Sequence, residues 1–240
     1  MVWAMDMPSS FGEFFPGGDY PGFDERLYKY YEEQMSAEQK AVFGVRNPKA
    51  SYVNLVCEKF RSPLGYKSGS DAPSVTPIES HEPPECFKTR KRYKSLGSLI
   101  QLNSRILAVD DLLKGIIEKL EPGKHQFFPI KIMVTNKEAL PTLYFTILIG
   151  QYLDSFLPAK SRPEVLTSQV FETYSTPYRL VDDTKASISG IAVSKATIGN
   201  AHLWREHFIN PEFLLLSGAL QAEIVKAGLR VPKHFQVMEL

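Results

Sequence analysis

The chain has 240 residues, 43% of them hydrophobic, and its 28 basic residues almost balance its 27 acidic ones. This length fits one large domain or two small ones, and the hydrophobic content is that of a globular protein with a real core. A net charge of +1 argues against a chain whose main partner is nucleic acid, since such proteins usually carry a strongly basic field.

The cysteines and the apolar runs indicate a reducing compartment and no membrane contact. Cys57 and Cys86 permit one disulfide but no disulfide scaffold, and free thiols in a cytoplasm are favoured. The first eight residues lack a basic region followed by an apolar stretch, so we expect no secretory signal. The longest apolar run, around residues 143–149, is too short to cross a bilayer. We therefore expect a cytoplasmic protein.

The N-terminal elements are predicted as a strand followed by helices. Residues 2–7 fit a first strand, and Asp24 is predicted to cap a helix with apolar residues at helical spacing. Ser36-Ala-Glu-Gln39 is a capping box that starts a second helix, and Gly44 is its predicted stop. Residues 51–60 fit both a strand and a short helix.

A proline-rich stretch and a basic run follow. Residues 61–84 hold five prolines among serines and glycines, which predicts an exposed, irregular linker or arm. Residues 88–94 contain five basic residues in seven. Because Tyr93 is the only aromatic among them, this run favours a solvated segment, or a face that meets an acidic protein, over a nucleic-acid site.

From Leu96 onward the pattern becomes regular. We therefore divide the chain into an N-terminal helical or irregular portion, residues 1–95, and an α+β portion, residues 96–240, which could also form one compact unit. Residues 143–149 are rich in β-forming residues and predict a central strand that pairs with residues 128–134. Residues 179–181 and 188–193 are candidates for further strands.

One segment occurs twice, at residues 106–132 and 213–240. Each copy consists of an apolar strand, a capping residue, an amphipathic helix, a Lys-His turn and a second strand, with Asp110 and Ser217 as the caps. This order is common enough to arise twice by chance, but the shared Lys-His turn favours two related halves. The overall prediction is an α+β fold, with a mixed sheet, helices packed on it and an irregular Pro-rich arm.

The cluster His202-Leu-Trp-Arg-Glu-His207 is the main candidate for chemistry. Zinc ligands on a helix lie three or four residues apart, so a spacing of five argues against a metal site. We expect Trp204 and Phe208 in the core, with Arg205 and Glu206 on a solvated or partner-facing edge.

A second interpretation is a small hydrolase that uses a scattered polar set. Its members would be Asp182, Asp183, His202, Glu206 and His207. An exposed Asp-Asp pair in a turn is far commoner than a catalytic one, and Ser187-Ile-Ser-Gly190 lacks the first glycine of a nucleophile elbow. We therefore expect no catalytic residue, no cofactor and no metal.

Several segments of the C-terminal part resemble bacterial immunity proteins of polymorphic toxin systems. The similarity is carried by residues 120–132, 150–156, 190–196, 202–206, 216–217 and 232–235. The families are those numbered eleven and forty-three, which these segments do not separate, and the similarity covers roughly residues 96–240. It implies a cytoplasmic antidote that binds a cognate toxin domain and blocks it, and it carries over no catalytic residue.

These observations lead to three hypotheses about function. The first is an immunity protein that neutralises a toxin by occlusion, with contacts at Tyr178, Asp182, Asp183, Trp204, Arg205 and Glu206. The second is the small hydrolase, which would reverse a toxin's modification. The third is a nucleic-acid module that uses residues 88–94. The sequence leaves the oligomeric state and the identity of the toxin open.

Overall fold

The computed structural model of the chain describes residues 1–43, 46–61, 77–135, 138–168, 178–182, 184–206, 209–210 and 213–240. The predicted helix stop at Gly44 and most of the proline-rich stretch, residues 62–76, lie outside these ranges, as do Asp183, His207 and Phe208. The expectations for them stay predictions.

Helices and strands alternate irregularly along the chain. The helices are α1 Phe23–Glu33, α2 Ala37–Ala41, α3 Pro48–Arg61, α4 Asp111–Leu120, α5 Lys185–Ser189, α6 Lys195–Ile198 and α7 Gly218–Lys226. The strands are β1 Val2–Met5, β2 Gly18–Asp19, β3 Cys86–Thr89, β4 Leu99–Gln101, β5 Leu107–Asp110, β6 Gln126–Met133, β7 Tyr144–Leu148, β8 Tyr152–Leu153, β9 Leu166–Ser168, β10 Tyr178–Leu180, β11 Ala192–Val193, β12 Leu203–Glu206, β13 Ile209–Asn210, β14 Leu214–Ser217 and β15 His234–Glu239. The predicted α+β class is confirmed.

The strands form two large sheets of matching topology. One sheet has the order β2-β3-β6-β7-β5-β4 and the other β11-β15-β1-β14-β12-β8, while β13-β10-β9 form a small third sheet. In the first, β3 is parallel to β6, and each following pair through β7, β5 and β4 is antiparallel. In the second, β11, β15, β1, β14 and β12 repeat this series of directions.

The two predicted copies therefore occupy equivalent places in the two sheets. In each copy the two strands are parallel and are separated by one antiparallel strand. That strand is β7 in the first sheet, whereas in the second it is β1, from the N-terminus of the chain. The order of elements in both copies is as predicted. Their origin in a duplication stays a prediction, which the matching topology favours.

Most of the predicted helix caps are present. The Asp110 carboxylate accepts a hydrogen bond from the Leu113 amide at 2.8 Å, and the Ser217 hydroxyl accepts one from the Leu220 amide at 3.2 Å. The Ser36 capping box is also formed. The prediction for Asp24 is wrong, because α1 begins one residue earlier and its N-cap is glycine in a left-handed conformation.

The structure settles three ambiguous segments. Residues 51–60 are helical, within α3. β7 is the central strand that was predicted, and it pairs with residues 126–130 of β6. The expected strand at residues 188–193 is mostly wrong: α5 extends to Ser189, and only two residues of this stretch form β11.

We call each large sheet, together with the helix of its repeated copy, one half of the structure: β2-β3-β6-β7-β5-β4 with α4 is the first half, and β11-β15-β1-β14-β12-β8 with α7 is the second. The two halves meet through their helices. α4 and α7 pack against each other, and Leu113, Ile117, Leu220 and Ile224 lie in one core together with residues of both large sheets. The i, i+4 spacing of these residues places them on one face of each helix. Leu112 of α4 and Val225 of α7 lie off this face and are exposed.

The sheets also connect the two predicted portions of the chain. β1 lies inside the sheet built from the C-terminal copy, and β3 pairs with β6. Strand pairing thus crosses the boundary placed at residue 95, although division of the chain into two folding units stays a prediction.

Candidate functional site

The predicted partner-facing segment is an inner strand. β12 lies between β14 and β8, and Trp204, Arg205 and Glu206 are all buried, with Arg205 only 6% exposed. The prediction that Trp204 is a core residue is confirmed, whereas the expected solvated edge at Arg205 and Glu206 is wrong. A role for the three in partner binding stays a prediction.

Glu206 joins β12 to the neighbouring loop. Its carboxylate accepts hydrogen bonds from the amide and the hydroxyl of buried Ser155, at 3.0 and 2.6 Å. Hydrogen bonds to an ionised acceptor are stronger than neutral ones, and they offset part of the cost of burying the charge. The segment therefore stabilises the second sheet from within.

Tyr178 and Asp182 lie nearer the surface. The Tyr178 ring is half-buried and packs edge-on against Phe156, with 5.3 Å between ring centroids. Asp182 is exposed and accepts hydrogen bonds from the Ser187 hydroxyl at 2.6 Å and from the hydroxyl and amide of Thr184 at 2.7 and 3.0 Å. These bonds hold the pKa of Asp182 below its usual range. The carboxylate thus fixes Thr184, which is the N-cap of α5.

The described members of the hydrolase hypothesis's polar set, Asp182, His202 and Glu206, are not brought together. His202 hydrogen-bonds Ser217 at 2.7 Å, whereas Asp182 and Glu206 bond other hydroxyls. Because β12 is extended, four residues separate His202 from Glu206 by about 13 Å. Across the described part of the chain, no group of three His, Cys, Asp or Glu side chains could hold a metal ion. These observations give the hydrolase hypothesis no support.

A buried carboxylate joins the two halves, and sequence reasoning missed it. Glu121, at the end of α4, accepts hydrogen bonds from the Gln151 side chain and the His202 amide at 2.6 Å each. It also accepts bonds from His125 Nε2 at 2.8 Å and from the Leu203 amide at 2.9 Å. Its hydrogen bonds therefore connect the end of α4 in the first half to the start of β12 in the second half.

The protonation of this network follows from its geometry. His125 Nδ1 accepts a hydrogen bond from the Gly150 amide at 3.1 Å, so Nε2 carries the proton that is donated to Glu121. Burial alone would raise the pKa of Glu121, but the hydrogen bonds from His125, the His202 amide and Gln151 together lower it. The ionised form is thus the one that the fold stabilises.

A cleft of about 450 Å³ opens between the two halves. It lies within the size range of ligand pockets. Its lining comes mainly from β1 and the loop after it, from the turn between β4 and β5, and from α3, α5, β12 and the start of β14. The lining residues are Met5, Asp6, Met7, Pro8, Ser9, Phe15, Arg61, Gln101, Leu102, Ser104, Arg105, Leu107, Ile188, Arg205, Phe213 and Leu214. Both large sheets contribute, so the cleft depends on how the halves are held together.

The charged residues of this lining are mainly cationic. The lining contains three arginines, Arg61, Arg105 and Arg205, and one carboxylate, that of Asp6. Ser104 and Arg105 are consecutive residues with φ of 56° and 58°. Non-glycine residues rarely adopt this left-handed conformation, and such strain is often found at functional sites. The cleft is therefore the best candidate for a binding site.

In the described residues, no helix has the length and hydrophobicity needed to cross a membrane. The basic run at residues 88–94 is largely exposed, and one of its members, Arg92, pairs with Glu138 at 2.8 Å.

Comparison with known proteins places this mixed α+β chain among immunity proteins. The model of the family described as "Immunity protein family (Imm11)" matches residues 29–239. The chain belongs to this immunity protein family. No curated protein matches it in a sequence search. The predicted resemblance to immunity proteins is confirmed, and the match does not by itself separate family eleven from family forty-three.

Proposed function

We propose that the chain is a cytoplasmic immunity protein of a polymorphic toxin system. It binds the toxic domain of a cognate toxin and blocks it by occlusion, which protects the producing cell during competition between bacteria. The observation that carries this proposal is the family match over residues 29–239.

The architecture supports inhibition by occlusion. An inhibitor of this kind needs a rigid scaffold and a complementary surface. Rigidity raises its affinity, because side chains and loops that are already ordered lose less conformational entropy on binding. Packing of α4 against α7, together with the Glu121 network, supplies such rigidity between the halves. The chain then needs no chemistry of its own, and we propose that it is not an enzyme.

The contact residues expected from the sequence divide into two groups. Tyr178 and Asp182 are accessible, and we propose them as direct contacts at the margin of the interface. Trp204, Arg205 and Glu206 are buried, and they would act by holding β12 in place.

Co-expression with the toxin domain encoded beside this gene tests the proposal. Cells that carry the toxin domain alone should die, whereas cells that also express this protein should grow. The two proteins should co-purify as a one-to-one complex. An unrelated protein of similar size, expressed at the same level, is the control. Continued killing, with no complex on purification, would refute the proposed function.

A further inference from the structure

A pair of phenylalanines, of which Phe11 is exposed and Phe15 is half-buried, extends the cleft towards the basic run. Phe15 lines the cleft, and its ring contacts that of Phe11 with 4.9 Å between centroids. Phe11 is 52% exposed, although it lies against the backbone of Gly17, where a Cβ atom would come within 2.6 Å of the ring. The Arg90 guanidinium lies 5.5 Å from the centroid of the Phe11 ring. Arg90, Phe11, Phe15 and the cleft thus form one continuous surface.

The turn that carries Arg105 is fixed from two sides. The Leu102 amide donates to the Ile106 oxygen at 2.7 Å, which closes the turn. The Asn103 side chain donates to the Gly18 backbone oxygen, and the Tyr20 hydroxyl donates to the Asn103 oxygen at 2.7 Å. The left-handed conformation is therefore held in place, and binding through the exposed Arg105 side chain requires no further ordering of this backbone.

The charge of this surface is positive. Arg90 and Arg105 are exposed, while Arg61 is partly exposed and pairs with Glu58 at 2.8 Å. The carboxylate within the cleft lining is that of Asp6. Phenylalanine and arginine are both enriched at protein interfaces. Charge complementarity then requires carboxylates on the partner.

We infer that this cationic surface, made of Phe11, Arg90, Arg105 and the cleft, binds an acidic loop of the toxin domain. An aspartate or glutamate of that loop enters the cleft, and an apolar residue packs on Phe11. A protein is favoured over nucleic acid, because the chain's net charge is only +1. This inference rests on the proposed function.

The test measures binding of the full chain to the toxin domain encoded by the neighbouring gene, in an inactivated form. The variants are Arg90→Glu, Arg105→Glu and Phe11→Ala. Lys226→Glu and Leu112→Ala are matched controls, since they make similar changes at exposed positions of α7 and α4, away from the cleft. Arg105→Asn is added because asparagine tolerates the left-handed conformation while the charge is removed. Thermal unfolding checks that each variant folds.

Each of the charge reversals should weaken binding about tenfold or more, mainly by slowing association, and Phe11→Ala should weaken it to a similar extent by faster dissociation. Wild-type affinity should fall as salt rises, and it should fall less steeply in Arg105→Asn. The controls should bind like the wild type.

Three results would overturn the inference. If the wild type binds the toxin and all the surface variants bind equally well, this surface is not the contact, although the proposed function survives. If the wild type does not bind at all, the proposed function fails as well. If duplex DNA binds in a gel shift and the same variants abolish that binding, the surface serves nucleic acid instead.

Discussion

Replacement of Glu121 should weaken the junction between the two halves. The carboxylate is buried, and each of its oxygens accepts two hydrogen bonds. In Glu121→Gln one oxygen becomes an amide nitrogen, which cannot accept and so faces two donors. A buried donor without a partner costs about 1–3 kcal/mol. We therefore expect a loss of about 3 kcal/mol in the free energy of unfolding, and a larger loss for Glu121→Ala.

The loss should depend on pH in a defined direction. The pKa of Glu121 is lowered in the folded protein, so the ionised carboxylate stabilises the fold. This contribution is complete above the unfolded pKa of about 4.3, and it is lost as the pH falls through the lower folded pKa. The difference between wild type and Glu121→Gln should therefore be constant near neutral pH and shrink in acid.

Thermal and urea unfolding at pH 7 measure this effect. For a chain of this length 1 kcal/mol shifts the unfolding midpoint by about 2–4 °C, so Glu121→Gln should unfold about 6–12 °C below the wild type. Glu118→Gln is the control on the same helix, because Glu118 is exposed and its ion pair with Lys114 contributes little. Equal midpoints for Glu121→Gln and the wild type would refute the reasoning.

Three other substitutions test the buried ion pair and the packing of two glycines. Lys59→Met leaves the buried charge of Glu82 without its cationic partner, and it should lower the free energy of unfolding in urea by about 3–5 kcal/mol. The double variant with Glu82→Gln should recover most of this loss. The absence of any recovery would argue against the ion pair. Gly150→Ala should destabilise the fold strongly, because its Cβ would lie 1.7 Å from the Lys124 backbone oxygen. Gly115→Ala should raise the free energy of unfolding by about 0.5–1 kcal/mol, because Gly115 lies inside α4 and a Cβ atom there would contact nothing. A lower free energy of unfolding would contradict the exposed helical position of Gly115.

Local signals in the sequence were sufficient for several of the elements. The caps Asp110, Ser217 and Ser36 begin helices because their side chains accept from amides within the same turn, which requires no tertiary contact. The run at residues 143–149 predicted the central strand β7 for a similar reason: a short run of β-forming residues without a charged residue indicates burial on both faces.

The errors arose where distant parts of the chain meet. The spacing argument for residues 202–207 assumed a helix, but residues 203–206 form β12, which pairs with β14 and β8 from elsewhere in the sequence. Arg205 and Glu206 were expected at the surface because of their charge, whereas partners such as Ser155, 51 residues before Glu206, make burial tolerable. No local pattern encodes such a partner.

The cleft was beyond prediction for the same reason. Its lining joins residues from position 5 to position 214, and the strained pair Ser104 and Arg105 carries no sequence signature. The basic run predicted a solvated segment or a face that meets an acidic protein, and it gave no sign of the aromatic neighbour of Arg90, which comes from a loop 79 residues earlier.

Titration of the active toxin domain with this protein tests the central proposal most directly. If the protein acts by occlusion, toxin activity should fall in proportion to the amount added and reach zero at a molar ratio of about one to one. This follows because each copy blocks one toxin, with a dissociation constant well below the working concentration. Complete protection by a small fraction of an equivalent would indicate an enzyme that reverses the toxin's effect. Full toxin activity at a large excess would contradict inhibition altogether.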